Sequence, residues 1–101
     1  MVTRTVVRYA VKPGLEERNA QLVRAVYREL AELEPERFRY ATYVLEDGHT
    51  FVHVAEQDDE ATTPLSALSA FKEFQAELAE RCEWGPLVMR AEQVGRYVAA
   101  T

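Results

Sequence analysis

Two histidines, His49 and His53, stand four residues apart beside Glu46, Asp47 and Glu56, the residue types that ligate metals. Four residues of a strand advance about 13 Å, whereas zinc–ligand bonds are about 2 Å, so the pair does not converge on one ion and no metal site is expected. His49 reads as an exposed turn residue. His53 lies inside an apolar run, and an imidazole near its ordinary pKa suits a general base that ionises a phenol. The competing reading makes it a hydrogen-bonded histidine of the core or of an intersubunit face. Tyr9 shares strand parity with Val7 and Val11, and its hydroxyl reaches either a ligand or water at the end of a core ring. Phe71, Phe74 and Trp84 read first as core, although such aromatic lining also contacts planar ligands. Gln75, the neutral polar side chain beside that stripe, is a candidate donor to a carbonyl or else a solvated residue. Arg4, Arg8, Arg39, Arg90 and Arg96 would stabilise an anionic oxygen or enter intersubunit ion pairs. The single cysteine, Cys82, has no internal disulfide partner and no neighbouring signature of an activated thiol.

The elements that must position these groups follow from the hydrophobic pattern. Val2 to Val11 is rich in β-branched residues and ends at Lys12-Pro13-Gly14, a breaker that a ladder cannot continue. Leu15, Leu22, Val26, Leu30 and Leu33 then mark an amphipathic helix of about five turns, with Glu16 and Glu17 at the positive end of its dipole and Pro35 closing it. Phe38 to Leu45 and Thr50 to Glu56 read as a strand pair joined through Asp47-Gly48. Thr63 and Pro64 predict the cap and first residue of a second helix carrying Leu65, Leu68, Phe71, Phe74 and Leu78, which ends near Arg81 or Cys82. Trp84-Gly85-Pro86 predicts a turn into a last strand from Leu87 to Val98, bulged at Gly95.

The order βαββαβ, with right-handed crossovers, predicts an α+β, ferredoxin-like antiparallel sheet with two helices on one face, in a single domain over residues 1–101. A sheet with one solvated face alternates apolar and polar residues. Here Val6-Val7, Tyr9-Ala10-Val11, Phe51 to Ala55 and Leu87-Val88-Met89 are apolar on both parities. Two helices cover one face only, so a homodimer packed sheet against sheet is expected.

The chain has 101 residues, 48% of them hydrophobic and 29% charged, with a net charge of −5, which suits a small globular protein. That charge argues against a nucleic-acid partner, because clustered Lys and Arg supply most non-specific affinity for phosphates. No apolar run approaches the ~20 residues that span a bilayer, and the N-terminus lacks a signal-peptide pattern, so a cytoplasmic location is expected.

The βαββαβ order, the Lys12-Pro13-Gly14 turn, the Phe51-Val52-His53-Val54 strand and the acidic loop before an aromatic-bearing helix together resemble the antibiotic biosynthesis monooxygenase family of dimeric α+β barrels. The resemblance implies a pocket in each protomer between sheet and helices. It also implies, as one possible activity, cofactor-independent oxygenation of a small aromatic or quinol-type molecule, with Tyr9 and His53 as candidate catalytic residues and Tyr9, Phe71, Phe74 and Gln75 as candidate substrate contacts. The alternative is a non-catalytic homodimeric small-molecule-binding or stress-response protein of the same fold. Where the haem-degrading branch of the family carries a pocket Asn, a Trp and its haem-ligating His, this chain aligns Val7, Leu65 and Gln75, so neither haem degradation nor another bound cofactor is expected.

Overall fold

The computed structural model describes residues 2–58 and 64–100. Strand β1 (Val2–Val11) lies inside the sheet, helix α1 (Glu16–Leu33) follows the Pro13-Gly14 turn, and β2 (Phe38–Val44) and β3 (Thr50–Asp58) form the expected hairpin. Helices α2 (Ser69–Gln75) and α3 (Leu78–Arg81) lead into β4 (Cys82–Arg90). All strand pairs are antiparallel, in the order β2-β3-β1-β4, and the helices cover one face. The architecture is the α+β, ferredoxin-like one. Among the described residues no helix is long and apolar enough to cross a membrane.

Helix α1 buries Leu22, Val23 and Val26 as its periodicity requires, and also buries Asn19 completely. Glu34 ends it in the left-handed region at φ 49°, where its N–H donates to the Leu30 carbonyl at 2.8 Å and Pro35 prevents a further turn.

The second helix departs from its sequence pattern. Instead of one helix to Arg81, a 3-10 turn at Leu65–Ala67 precedes α2, and Glu77, at φ 66°, separates α2 from α3. The expected Thr63 cap lies outside the described residues. No side chain of its own segment caps α2. Glu29 of α1 does so across the helix pair, accepting from the Ser69 hydroxyl at 2.9 Å and from the Ala70 N–H. At the other end Arg81 folds back and donates to the Phe74 carbonyl at 2.7 Å and the Ala76 carbonyl at 3.3 Å. Carbonyls that a continuous helix would have satisfied are thus met by a guanidinium, which offsets the break.

Strand β4 also differs from expectation. It starts at Cys82, runs through Trp84-Gly85-Pro86 and pairs only to Arg90, while residues 91–100 carry no regular structure. The Gly-Pro pair makes an irregularity in an edge strand rather than a chain reversal: the register with β1 shifts between Arg8 and Ala10, opposite Gly85. Gly85 has φ 86°, and a Cβ there would fall 2.9 Å from both the Arg8 carbonyl oxygen and Tyr9 Cβ. Only glycine fits this approach. Gly85→Ala should therefore lower stability by about 2 kcal/mol or more, read as a reduced denaturation midpoint, whereas Gly95→Ala, at a glycine with open space around it, should leave the midpoint nearly unchanged.

Candidate functional site

The sheet register sets the site. Val7, His53 and Thr42 lie opposite one another across β1, β3 and β2, and Val88 of β4 faces Val7 on the other side. His53 and Tyr9 both point toward the helices, where Tyr9 is fully buried and His53 is 3% exposed. The parity shared by Phe51 and His53 thus faces the helices rather than a partner sheet.

A continuous chain of hydrogen bonds runs through this layer. Arg81 Nε donates to Asn19 Oδ1 at 3.2 Å, and Asn19 Nδ2 donates to the Tyr9 hydroxyl at 2.9 Å. The Tyr9 hydroxyl lies 2.7 Å from His53 Nε2. On the other ring nitrogen, Nδ1, the Tyr40 hydroxyl stands at 2.7 Å and Thr42 Oγ1 at 3.0 Å, and Tyr27 reaches Thr42 at 2.8 Å. Rings enclose the chain, with Tyr9 stacked on Phe51 and His53 against Phe74 at 5.4 Å. Burial disfavours charge here. It pushes the His53 pKa down to about 4 and raises those of Tyr9 and Tyr40, so the imidazole and both phenols are neutral at pH 7. The imidazole titrating near neutrality that the sequence suggested is therefore replaced by a weakly basic one.

Beside this chain lies a cavity of about 350 Å³ between the sheet and the helical segment. Its apolar wall includes Val7, Leu65, Phe71, Phe74 and Leu78, and its polar groups include Thr5, Tyr40, His53, Gln75 and Arg90. Of the candidate catalytic and substrate-contact residues, His53, Phe71, Phe74 and Gln75 come together at it. Tyr9 does not. Its ring fills core and its hydroxyl is committed to Asn19 and His53, so it stands one layer behind the wall, and the expected projection into the pocket is corrected.

The arginines divide. Arg4 and Arg39 pair with Glu56 of their own chain at 3.3 and 3.8 Å, Arg8 lies over the Trp84 ring on the opposite face, and Arg90 borders the cavity. His49 sits at the hairpin turn 3.7 Å from Asp47. Cys82 is buried, and burial raises its thiol pKa, which keeps it protonated.

Asn19, Arg81, Tyr40 and Thr42 escaped the sequence analysis. Two of them carried a signal there: Asn19 fills the seven-residue gap between Leu15 and Leu22, and Arg81 continues the Phe74-Leu78 spacing. Each is a polar residue on an apolar stripe.

No protein-family model matches the chain, and no curated protein matches it in sequence. Solved structures do match in fold. A crystal structure of an antibiotic biosynthesis monooxygenase shares 18% identity at a TM-score of 0.74, covering 94% of this chain and all of that one. A conserved protein from Methanosarcina mazei Go1 shares 22% at 0.71, over 92% and 93% of the two chains. A dimeric ferredoxin-like protein of unknown function from Jannaschia sp. CCS1 shares 14% at 0.67, over 92% and 100%. At such identities the likeness establishes the fold.

The buried histidine has a measurable consequence. Unfolded, it titrates at its ordinary 6.5; folded, near 4, so between these values the unfolded chain binds more protons. The stability associated with neutral His53 is complete above pH 6.5 and is lost as pH falls toward 4, by on the order of 3 kcal/mol. Urea denaturation across this range should show that decline in the wild-type protein and a flatter profile in His53→Gln.

Proposed function

We propose that the cavity binds a small planar aromatic or quinol-type molecule and that the protein oxygenates it without a bound cofactor. The observation that carries this reading is an apolar, aromatic-walled space of about 350 Å³ into which Tyr40, Gln75 and Arg90 bring polar groups. It is supported by the fold shared with an antibiotic biosynthesis monooxygenase. With His53 a weak base, the substrate enters already ionised, and its own electrons reduce O₂. In an anthrone-type substrate a ring CH₂ carbon loses two hydrogens and gains one oxygen as C=O, and the second oxygen leaves with those hydrogens as water; in a quinol a ring C–H becomes C–OH and the second oxygen leaves with the two phenolic hydrogens as water, giving a hydroxyquinone. Gln75 and Tyr40 donate to the oxygen on which negative charge accumulates. His53, in the same wall, holds Tyr40 in place, and Tyr9 behind it holds His53.

A non-catalytic binding role is the second reading, favoured by one observation. Both His53 nitrogens are already hydrogen-bonded, so His53 presents the cavity with no free basic nitrogen. Oxygen-electrode assays with a panel of anthrones and quinols separate the two. Protein-dependent uptake should rise with pH along the substrate's own ionisation, and Gln75→Ala should slow it about tenfold. Absence of uptake across the panel would leave the binding role.

We further propose a homodimer, as in the dimeric ferredoxin-like relative. The face away from the helices carries the rows Val6, Val54, Ala41 and Met89, and Val52, Tyr43 and Leu87 beside Arg8, with Tyr43, Leu87 and Met89 exposed by 57%, 46% and 61%. Sedimentation equilibrium at micromolar concentration should return twice 11.5 kDa, and Leu87→Asp should shift the protein toward monomer.

A further inference from the structure

We propose that Arg81 and Asn19 are positioning residues that hold His53 as its Nδ1–H tautomer and thereby leave the Tyr40 hydroxyl proton available to a ligand. The starting point is Arg81, which has donors and no acceptor. Its Nε–H on Asn19 Oδ1 fixes the amide so that Nδ2, a donor, faces Tyr9. The Tyr9 oxygen accepts there, and Tyr9 is fully buried, so its proton has one remaining partner, His53 Nε2 at 2.7 Å. Nε2 therefore accepts, and in a neutral imidazole the proton then sits on Nδ1. Nδ1–H donates to Tyr40 at 2.7 Å or Thr42 at 3.0 Å, both of which have oxygens to receive it.

The opposite tautomer would place a second donor, Nε2–H, on a Tyr9 oxygen that already accepts from Asn19. The Tyr9 proton would then be buried without an acceptor, which costs more than the bond gained. The direction of each bond from Arg81 through Asn19 and Tyr9 to His53 is thus set from one end. Tyr40 cannot donate to a protonated Nδ1, so it keeps its proton for Thr42 or for an acceptor in the cavity it lines. The ligand class that fits is one presenting a carbonyl or phenolate oxygen; this half rests on the cavity being the ligand site proposed above.

The test is the long-range ¹H–¹⁵N correlation spectrum of histidine-labelled protein at neutral pH, with His49 assigned through His49→Asn. Wild type should show one tautomer, protonated on Nδ1. In Asn19→Asp the carboxylate accepts the Tyr9 proton, Tyr9 turns to accept from Nε2–H, and the tautomer should switch. In Arg81→Met the amide loses the donor that orients it, and both tautomers should be populated. An Nε2–H pattern in wild type, or an unchanged Nδ1–H pattern in either folded variant, overturns the proposal; should the variants not fold, the wild-type pattern decides. 1,4-Naphthoquinone, an acceptor without a donor, should bind Asn19→Asp about tenfold more weakly than wild type. Equal affinity overturns the ligand-class half. No binding to either protein overturns that half together with the cavity reading above, while the spectra still decide the positioning role.

Discussion

A buried cation that, among the described residues, is held by an amide and by helix carbonyls rather than by an ion pair organises the helical layer of this protein. Arg81 is 7% exposed, and its acceptors are the Asn19 amide and the carbonyls of Phe74 and Ala76. A buried charge is tolerated only when its donors are met, and here they are met by a helix end, where the carbonyl dipoles favour a cation. The break between α2 and α3 and the burial of Asn19 are two sides of one requirement. If α2 continued unbroken, its carbonyls would be consumed within the helix, and the guanidinium would lose the acceptors that keep it inside.

From that anchor the consequences pass across the core into the sheet. Asn19 holds Tyr9, Tyr9 holds His53, and His53 holds Tyr40 and Thr42 on a third strand, so α3, α1, β1, β3 and β2 share one polar thread inside an aromatic core. Threads of this kind specify a unique arrangement because every member is satisfied in one register only. Gly85 belongs to the same design from the other side, since its missing side chain lets β4 pass close to the Tyr9 backbone.

The cavity lies where this thread stops. Its wall joins Val7 and Leu65 to the Gln75 amide. With a neutral, already hydrogen-bonded imidazole in that wall, the site is suited to hydrogen bonding and apolar contact rather than to proton abstraction by histidine.

The βαββαβ order, the positions of α1, β2 and β3, and an apolar character on both sheet faces were legible in the sequence, because period and turn chemistry are local properties that each segment carries by itself. Phe71, Phe74, Gln75 and His53 were also legible one by one as candidates, through their spacing and their place in apolar runs, but not their meeting at one cavity. The course of the chain from Leu65 to Arg90 was not. Its helix breaks at Glu77 to serve Arg81, and its Gly-Pro pair bulges a strand instead of reversing it, since both outcomes depend on neighbours distant in sequence. Which strand parity meets the helices was likewise decided only in three dimensions, and with it the depth of Tyr9 and the weak basicity of His53. Asn19 and Arg81 were visible as polar residues on apolar stripes, but their meeting, 62 residues apart along the chain, exists only in the folded molecule. Sequence pattern determines which faces are buried; the pairing of buried polar atoms depends on what those faces meet.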